Sequence, residues 1–158
     1  MGVDPAQRER IRDDLRGIVR GELLFDDLSC ALYSTDASIF QIQPLGVAVP
    51  RDEEDVQALV RYAAEHQLAL IPRGAGTGLA GESLGSGIIL DLSRHFRAVL
   101  DIGAASVRVQ PGVVYQDLQK RLAARGRRFA PDPTSSVQCT IGGMLATRSS
   151  TPVKSVGD

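Results

Sequence analysis

The run Pro72-Arg73-Gly74-Ala75-Gly76-Thr77-Gly78-Leu79-Ala80-Gly81 carries the strongest chemical signal in the chain. Glycines at 74, 76 and 78 allow positive φ and close approach of the backbone to a ligand. Successive backbone N–H groups can then converge into an anion-binding nest. Thr77 adds a hydroxyl donor and Arg73 a positive charge. A pyrophosphate suits such a loop. A Walker loop ends in Gly-Lys-Ser/Thr and is excluded, because no lysine stands here. Gly76-Thr77-Gly78-Leu79-Ala80-Gly81 matches GxGxxG formally, but a Rossmann grip needs a helix directly after the loop. Glu82-Ser83-Leu84-Gly85-Ser86-Gly87 leaves no room for one before Ile88. A flexible glycine linker is the bland alternative. The tight placement between two apolar runs argues against it.

Those flanking runs belong to the clearest element pattern in the chain. Leu45-Gly46-Val47-Ala48-Val49 reads as a buried strand closed by Pro50, and Asp52 can cap the helix that follows. That helix carries Val56, Leu59, Val60, Ala63 and Ala64 on one stripe. Glu53, Glu54 and Asp55 sit in its first turn, at the positive end of the dipole. Leu68-Ala69-Leu70-Ile71 returns as a strand, which completes a βαβ unit with a right-handed parallel crossover. Ile88-Ile89-Leu90, Val99-Leu100-Asp101-Ile102 and Val107-Arg108-Val109 read as further strands, with Gly103 at the turn between the last two. Val114, Leu118 and Leu122 mark a helix ending near Gly126, and everything from Pro131 reads as loop. Upstream, Ile11, Leu15, Ile18 and Val19 predict an amphipathic helix over residues 5–20, stopped by Gly21. Residues 21–38 read as a packed connector in which Asp26, Asp27, Asp36 and Ser38 do capping and turn work.

Composition narrows the function classes. The chain has 158 residues, enough for one domain with a sizeable core. A net charge of −1 gives no electrostatic reason to expect a nucleic-acid partner or a membrane surface. The N-terminus lacks a secretory apolar region, and no run approaches the ~18 apolar residues of a membrane span. A cytoplasmic location with no membrane span is the expectation. Cys30 and Cys139 lie far apart and outside any metal-binding spacing, so two reduced thiols are expected and no metal site. His66 and His95 read as capping or solvated residues.

Six ordered segments together carry a resemblance. They are Tyr33-Ser34-Thr35-Asp36-Ala37-Ser38, the glycine-rich run, Leu90-Asp91-Leu92-Ser93, Gln110-Pro111-Gly112-Val113, Pro131-Asp132-Pro133-Thr134-Ser135 and Thr140-Ile141-Gly142-Gly143-Met144. Their order and spacing resemble the FAD-linked oxidases of the vanillyl-alcohol oxidase/p-cresol methylhydroxylase (PCMH) superfamily. The nearer likeness is to D-lactate dehydrogenases, glycolate oxidase flavin subunits and D-2-hydroxyglutarate dehydrogenases. The resemblance implies an α+β fold of the FAD-binding PCMH type, with a complete first lobe containing the βαβ unit and a truncated second lobe. It divides the chain into an N-terminal helix and connector, 1–38, and an FAD-binding domain, 39–158. It assigns the cofactor's pyrophosphate to Arg73, Gly74, Ala75, Gly76, Thr77 and Gly78. It places Pro131, Asp132, Pro133, Thr134, Ser135, Thr140, Gly142 and Gly143 along the ribityl chain and flavin ring. Read without the family, Pro131-Asp132-Pro133 is a rigid turn. Some relatives attach FAD covalently through a histidine where this chain has Thr77, so the resemblance implies non-covalent FAD.

The resemblance also implies a 2-hydroxy acid as substrate, with the substrate-binding and base residues further along the family's sequence. No catalytic residue is therefore assigned. Arg148 stands where the family expects an amide side chain, and Thr151 where it expects glycine. The chain is expected to be a fragment, completed by a missing C-terminal half or by an iron–sulfur partner of the kind fused in the members that residues 33–43 most resemble. A non-catalytic flavin-binding module and an inactive remnant are the competing readings.

Overall fold

The computed structural model describes residues 5–148, so the position of Thr151 lies outside the described residues. The elements run α1 (Pro5–Arg16), β1 (Glu22–Leu24), α2 (Asp27–Leu32), β2 (Gly46–Val49), α3 (Glu53–Glu65), β3 (Leu70–Arg73) and β4 (Ile88–Asp91). They continue with β5 (Val99–Ile102), β6 (Val107–Val109), α4 (Tyr115–Ala123) and α5 (Ile141–Ala146).

The first four strands form one sheet in the order β1-β2-β4-β3. β2, β4 and β3 are parallel, and β1 joins β2 antiparallel. The βαβ unit is present, but its strands are not neighbours, because β4 inserts between them. Alternation along the strands sets the two faces. Ala48, Ile88 and Leu90 pack with Leu59 and Tyr62 of α3 and Ile11 and Leu15 of α1. Val47, Val49 and Ile89 face the other way, toward Leu24, Tyr33 and Ile71. A second core gathers α4, α5 and the β5–β6 hairpin around Tyr115, Leu118, Leu122, Ile141 and Met144.

Local chemistry fixes the ends of α3. The Asp52 carboxylate accepts from the Glu54 and Asp55 amides at 3.1 Å each, as its capping position requires. The other end is a Schellman turn. Leu68 N–H donates to Ala63 O at 2.8 Å and Gln67 N–H to Ala64 O at 3.4 Å, with Gln67 left-handed at φ 54°. Asp55 is buried and accepts from the Arg20, Gly21 and Arg51 amides at 2.8–2.9 Å, which ties the start of the chain to the start of α3.

Several expectations need correction. α1 ends at Arg16, four residues early, and Ile18 is exposed. Gly21 is not its stop: a Cβ there would overlap the Val49 carbonyl, so it marks close passage past β2. On α3, Val60 and Ala64 face solvent, while Tyr62 and Asp55 are buried. The connector contains β1 and α2, the latter capped by Asp26, which accepts from Ser29 N. The region after Pro131 is not all loop, since Thr140 caps the helix α5.

Candidate functional site

Adjacent parallel strands need a long crossover, usually a helix. Between β3 and β4 the glycine-rich segment 74–87 is that crossover, without helix or strand of its own. It therefore leaves the sheet at the carboxyl end of a parallel strand, where open α/β sheets bind ligands. Gly76 has φ +66°, a left-handed conformation that suits glycine.

The loop is held from behind by the segment after α2. Ala37 N–H donates to Gly76 O at 3.0 Å, and Ser83 Oγ donates to Asp36 at 3.0 Å. Burial works against the Asp36 carboxylate, but hydrogen bonds from Ser38 and Ser83 hold it below the usual range. Arg73 does not reach into the cleft. Its guanidinium donates to Thr35 O at 2.8 Å and Tyr33 O at 3.4 Å and lies over the Tyr33 ring. Tyr33 in turn donates to Asp91 at 2.6 Å. The charge expected to meet a phosphate is thus committed to backbone carbonyls beneath the loop.

In front, the loop meets the segment 133–147. A Cβ on Gly74 would overlap Thr140 Oγ1, so glycine at 74 is what lets the two segments touch. Thr140 is buried, and its hydroxyl accepts from Gly143 N at 3.4 Å. The first residues of α5 are pinned to residues 111–113: Ile141 N–H donates to Val113 O at 2.9 Å and Gly142 N–H to Pro111 O at 2.8 Å. Gly142 serves this packing, because its Cβ would lie 2.6 Å from Pro111 Cβ.

A cleft opens between the two segments. Gly74, Ala75, Gly76, Thr77 and Gly78 line one side, and Pro133, Ser135, Thr140 and Gly143 the other. Of the sequence-derived residues, Arg73, Pro131, Asp132, Thr134 and Gly142 do not line it; Asp132 and Thr134 are exposed nearby. Sequence reading missed Glu82, Ser83, Cys139, Met144, Ala146 and Thr147. Thr140, Gly143, Met144 and Thr147 share one helical face, and that spacing was the available signal. Burial pushes the Cys139 thiol up, so it stands as a neutral wall and not as a thiolate. Glu82 is the one charged side chain among the described residues lining the cleft.

The cleft thus presents the backbone of a glycine loop and hydroxyls at Thr77, Ser135 and Thr140, groups able to hydrogen-bond an anion, within an α+β fold. The chain belongs to the FAD binding domain family, whose sequence profile matches residues 44–156. It is 39% identical over 136 residues to D-2-hydroxyglutarate dehydrogenase of Pseudomonas putida KT2440, covering 83% of this chain and 14% of that protein. It is 34% identical over 141 residues to the glycolate oxidase subunit GlcD of Escherichia coli K12, covering 86% of this chain and 28% of that subunit. The chain thus spans less than a third of these relatives. Among solved structures, alkyldihydroxyacetonephosphate synthase superposes with a TM-score of 0.77 at 24% identity, over 93% of this chain and 30% of that one. The 4-ethylphenol oxidase from Gulosibacter chungangensis gives 0.74 at 23%, over 90% and 29%. At those identities the likeness is one of fold.

FAD is the cofactor of this family. The lining offers the backbone of residues 74–78 and the hydroxyls of Thr77 and Ser135 as hydrogen-bonding groups, while the positions a Cβ on Gly74 or Gly76 would take are filled by Thr140 and Arg73. Among the described residues, no helix is long and apolar enough to cross a membrane.

Proposed function

We propose that the chain holds FAD non-covalently in this cleft, as the flavin-gripping part of an oxidoreductase that oxidises a 2-hydroxy acid. The observation that carries the reading is the contact of Gly74 with Thr140, which brings two segments far apart in sequence onto one cleft. In this reading the amides of residues 74–78 and the Thr77 hydroxyl hold the diphosphate. Ser135, Thr140 and Gly143 face the ribityl chain and ring, while Pro131, Asp132, Pro133 and Thr134 shape the rim. Arg73 and Gly142 act indirectly: Arg73 braces the loop and Gly142 seats α5 against Pro111. Residues 1–38 buttress the binding domain, 39–158, through the shared core.

Bound FAD supplies the hydride acceptor, and the protein binds and orients it. No catalytic base is assigned to the described residues. The substrate class rests on the names of the relatives, a D-2-hydroxyglutarate dehydrogenase and a glycolate oxidase subunit. Completion by further polypeptide, including an iron–sulfur region, and a cytoplasmic location belong to the same proposal. Flavin uptake tests it. Equilibrium dialysis should give saturable FAD binding, and all flavin should be released on denaturation. Gly76→Asp puts a side chain at a left-handed position where its Cβ would strike the Arg73 guanidinium that braces the loop, which distorts the loop's backbone, and uptake should vanish while far-UV circular dichroism is kept. Undiminished uptake by a folded Gly76→Asp variant would overturn the placement.

A further inference from the structure

We propose that Glu82 is an internal anion that competes with the ligand's phosphates for the glycine loop; this rests on reading the cleft as a diphosphate site. Its Oε2 accepts from Ala80 N at 3.3 Å, and a Cβ on Gly78 would overlap the same oxygen. The carboxylate therefore leans onto the outer turn of the loop and takes one of its amides. The loop is a place an anion seeks. Its backbone lines the cleft at residues 74–78, and the Arg73 guanidinium lies beneath, 2.6 Å from where a Gly76 Cβ would stand. Arg73 is spoken for by the carbonyls of Tyr33 and Thr35, and no other charged side chain lines the described cleft. Glu82 is thus the one group there that can repel a phosphate.

Two consequences follow from its exposure on the protein surface. The side chain can swing out when a phosphate arrives, so the competition is reversible. It also makes the cleft selective by charge, since each added negative charge on a ligand meets the same repulsion at short range.

The test titrates the full chain, as wild type, Glu82→Gln and Glu82→Ala, with inorganic pyrophosphate by calorimetry and with FAD by flavin fluorescence. Both variants should bind both probes about tenfold more tightly at low salt. The gain should shrink toward nothing near 1 M salt, where the screening length falls to about 3 Å. A salt-sensitive gain is not expected from a change of packing alone. Equal affinity in the three proteins would overturn the proposal. So would weaker binding by the variants, which would make Glu82 an acceptor for ligand hydroxyls. If no protein takes up either probe, the diphosphate reading of the cleft itself falls, and this proposal with it.

Discussion

Gly74 and Thr140 are the pair on which the cleft closes. Deleting the methyl-sized space at 74 forces the loop away from α5, because the obstacle is a buried side chain capping a helix. Gly74→Ala should therefore weaken FAD binding by at least about tenfold, the equivalent of 1.4 kcal/mol. Thr140→Ala removes the hydroxyl in the way, at the cost of the cap, about 1 kcal/mol of stability. In that background Gly74→Ala should cost markedly less affinity. A double-mutant cycle checks this, and strictly additive effects would show that the two residues do not meet. The residue types at these positions were legible as ligand-approach glycines and a polar partner. Their contact was not, since nothing local reports which residue a Cβ would strike. Arg73 makes the same point in reverse: its charge was legible, but its direction is set by the carbonyls of residues 33 and 35.

At the scale of elements, α3 was readable because capping, charge and periodicity all agree over residues 52–65. Its end falls at His66, the helix-end position read from the sequence, but the turn beyond carries no glycine signal, because Gln67 takes the left-handed position that glycine normally fills. Gln67→Gly should accordingly raise stability by about 0.5–1 kcal/mol, visible as a higher denaturant midpoint with unchanged slope. A lower midpoint would contradict the strain assigned to that turn. The helix α5 escaped notice for a different reason. It has six residues, two of them glycine, so intrinsic propensity argues against it. Packing of Gly142 on Pro111 and the Thr140 cap outweigh that preference. Sheet order was equally illegible, because the insertion of β4 between β2 and β3 is decided by pairing between strands remote in sequence.

For the whole molecule, the hydroxyls of half-buried Tyr33 and buried Tyr62 cross between distant segments. Tyr33 reaches Asp91, and Tyr62 reaches Asp14 at 2.7 Å. Burial, then the hydrogen bond to a carboxylate, pushes each phenol up to about 12. An unfolded tyrosine ionises near pH 10. The folded state therefore holds both protons more tightly, and this contribution is intact below about pH 10 and lost as pH rises toward about 12. Denaturant midpoints should fall across that window, and Tyr33→Phe and Tyr62→Phe should each flatten the fall. An unchanged alkaline profile in both variants would refute the linkage. On the same scale, the cleft joins the loop after β3 to the second core through Cys139 and Met144, so a ligand spanning it should stabilise the whole chain in proportion to its affinity.

The most direct measurement follows backbone amide resonances during titration with FAD. Residues 74–78 should shift first and furthest, with Ala80 and Gly143 moving at the same ligand concentration. Shifts gathered on another surface, or a loop left unmoved while flavin saturates the protein, would contradict the binding of the diphosphate by these amides.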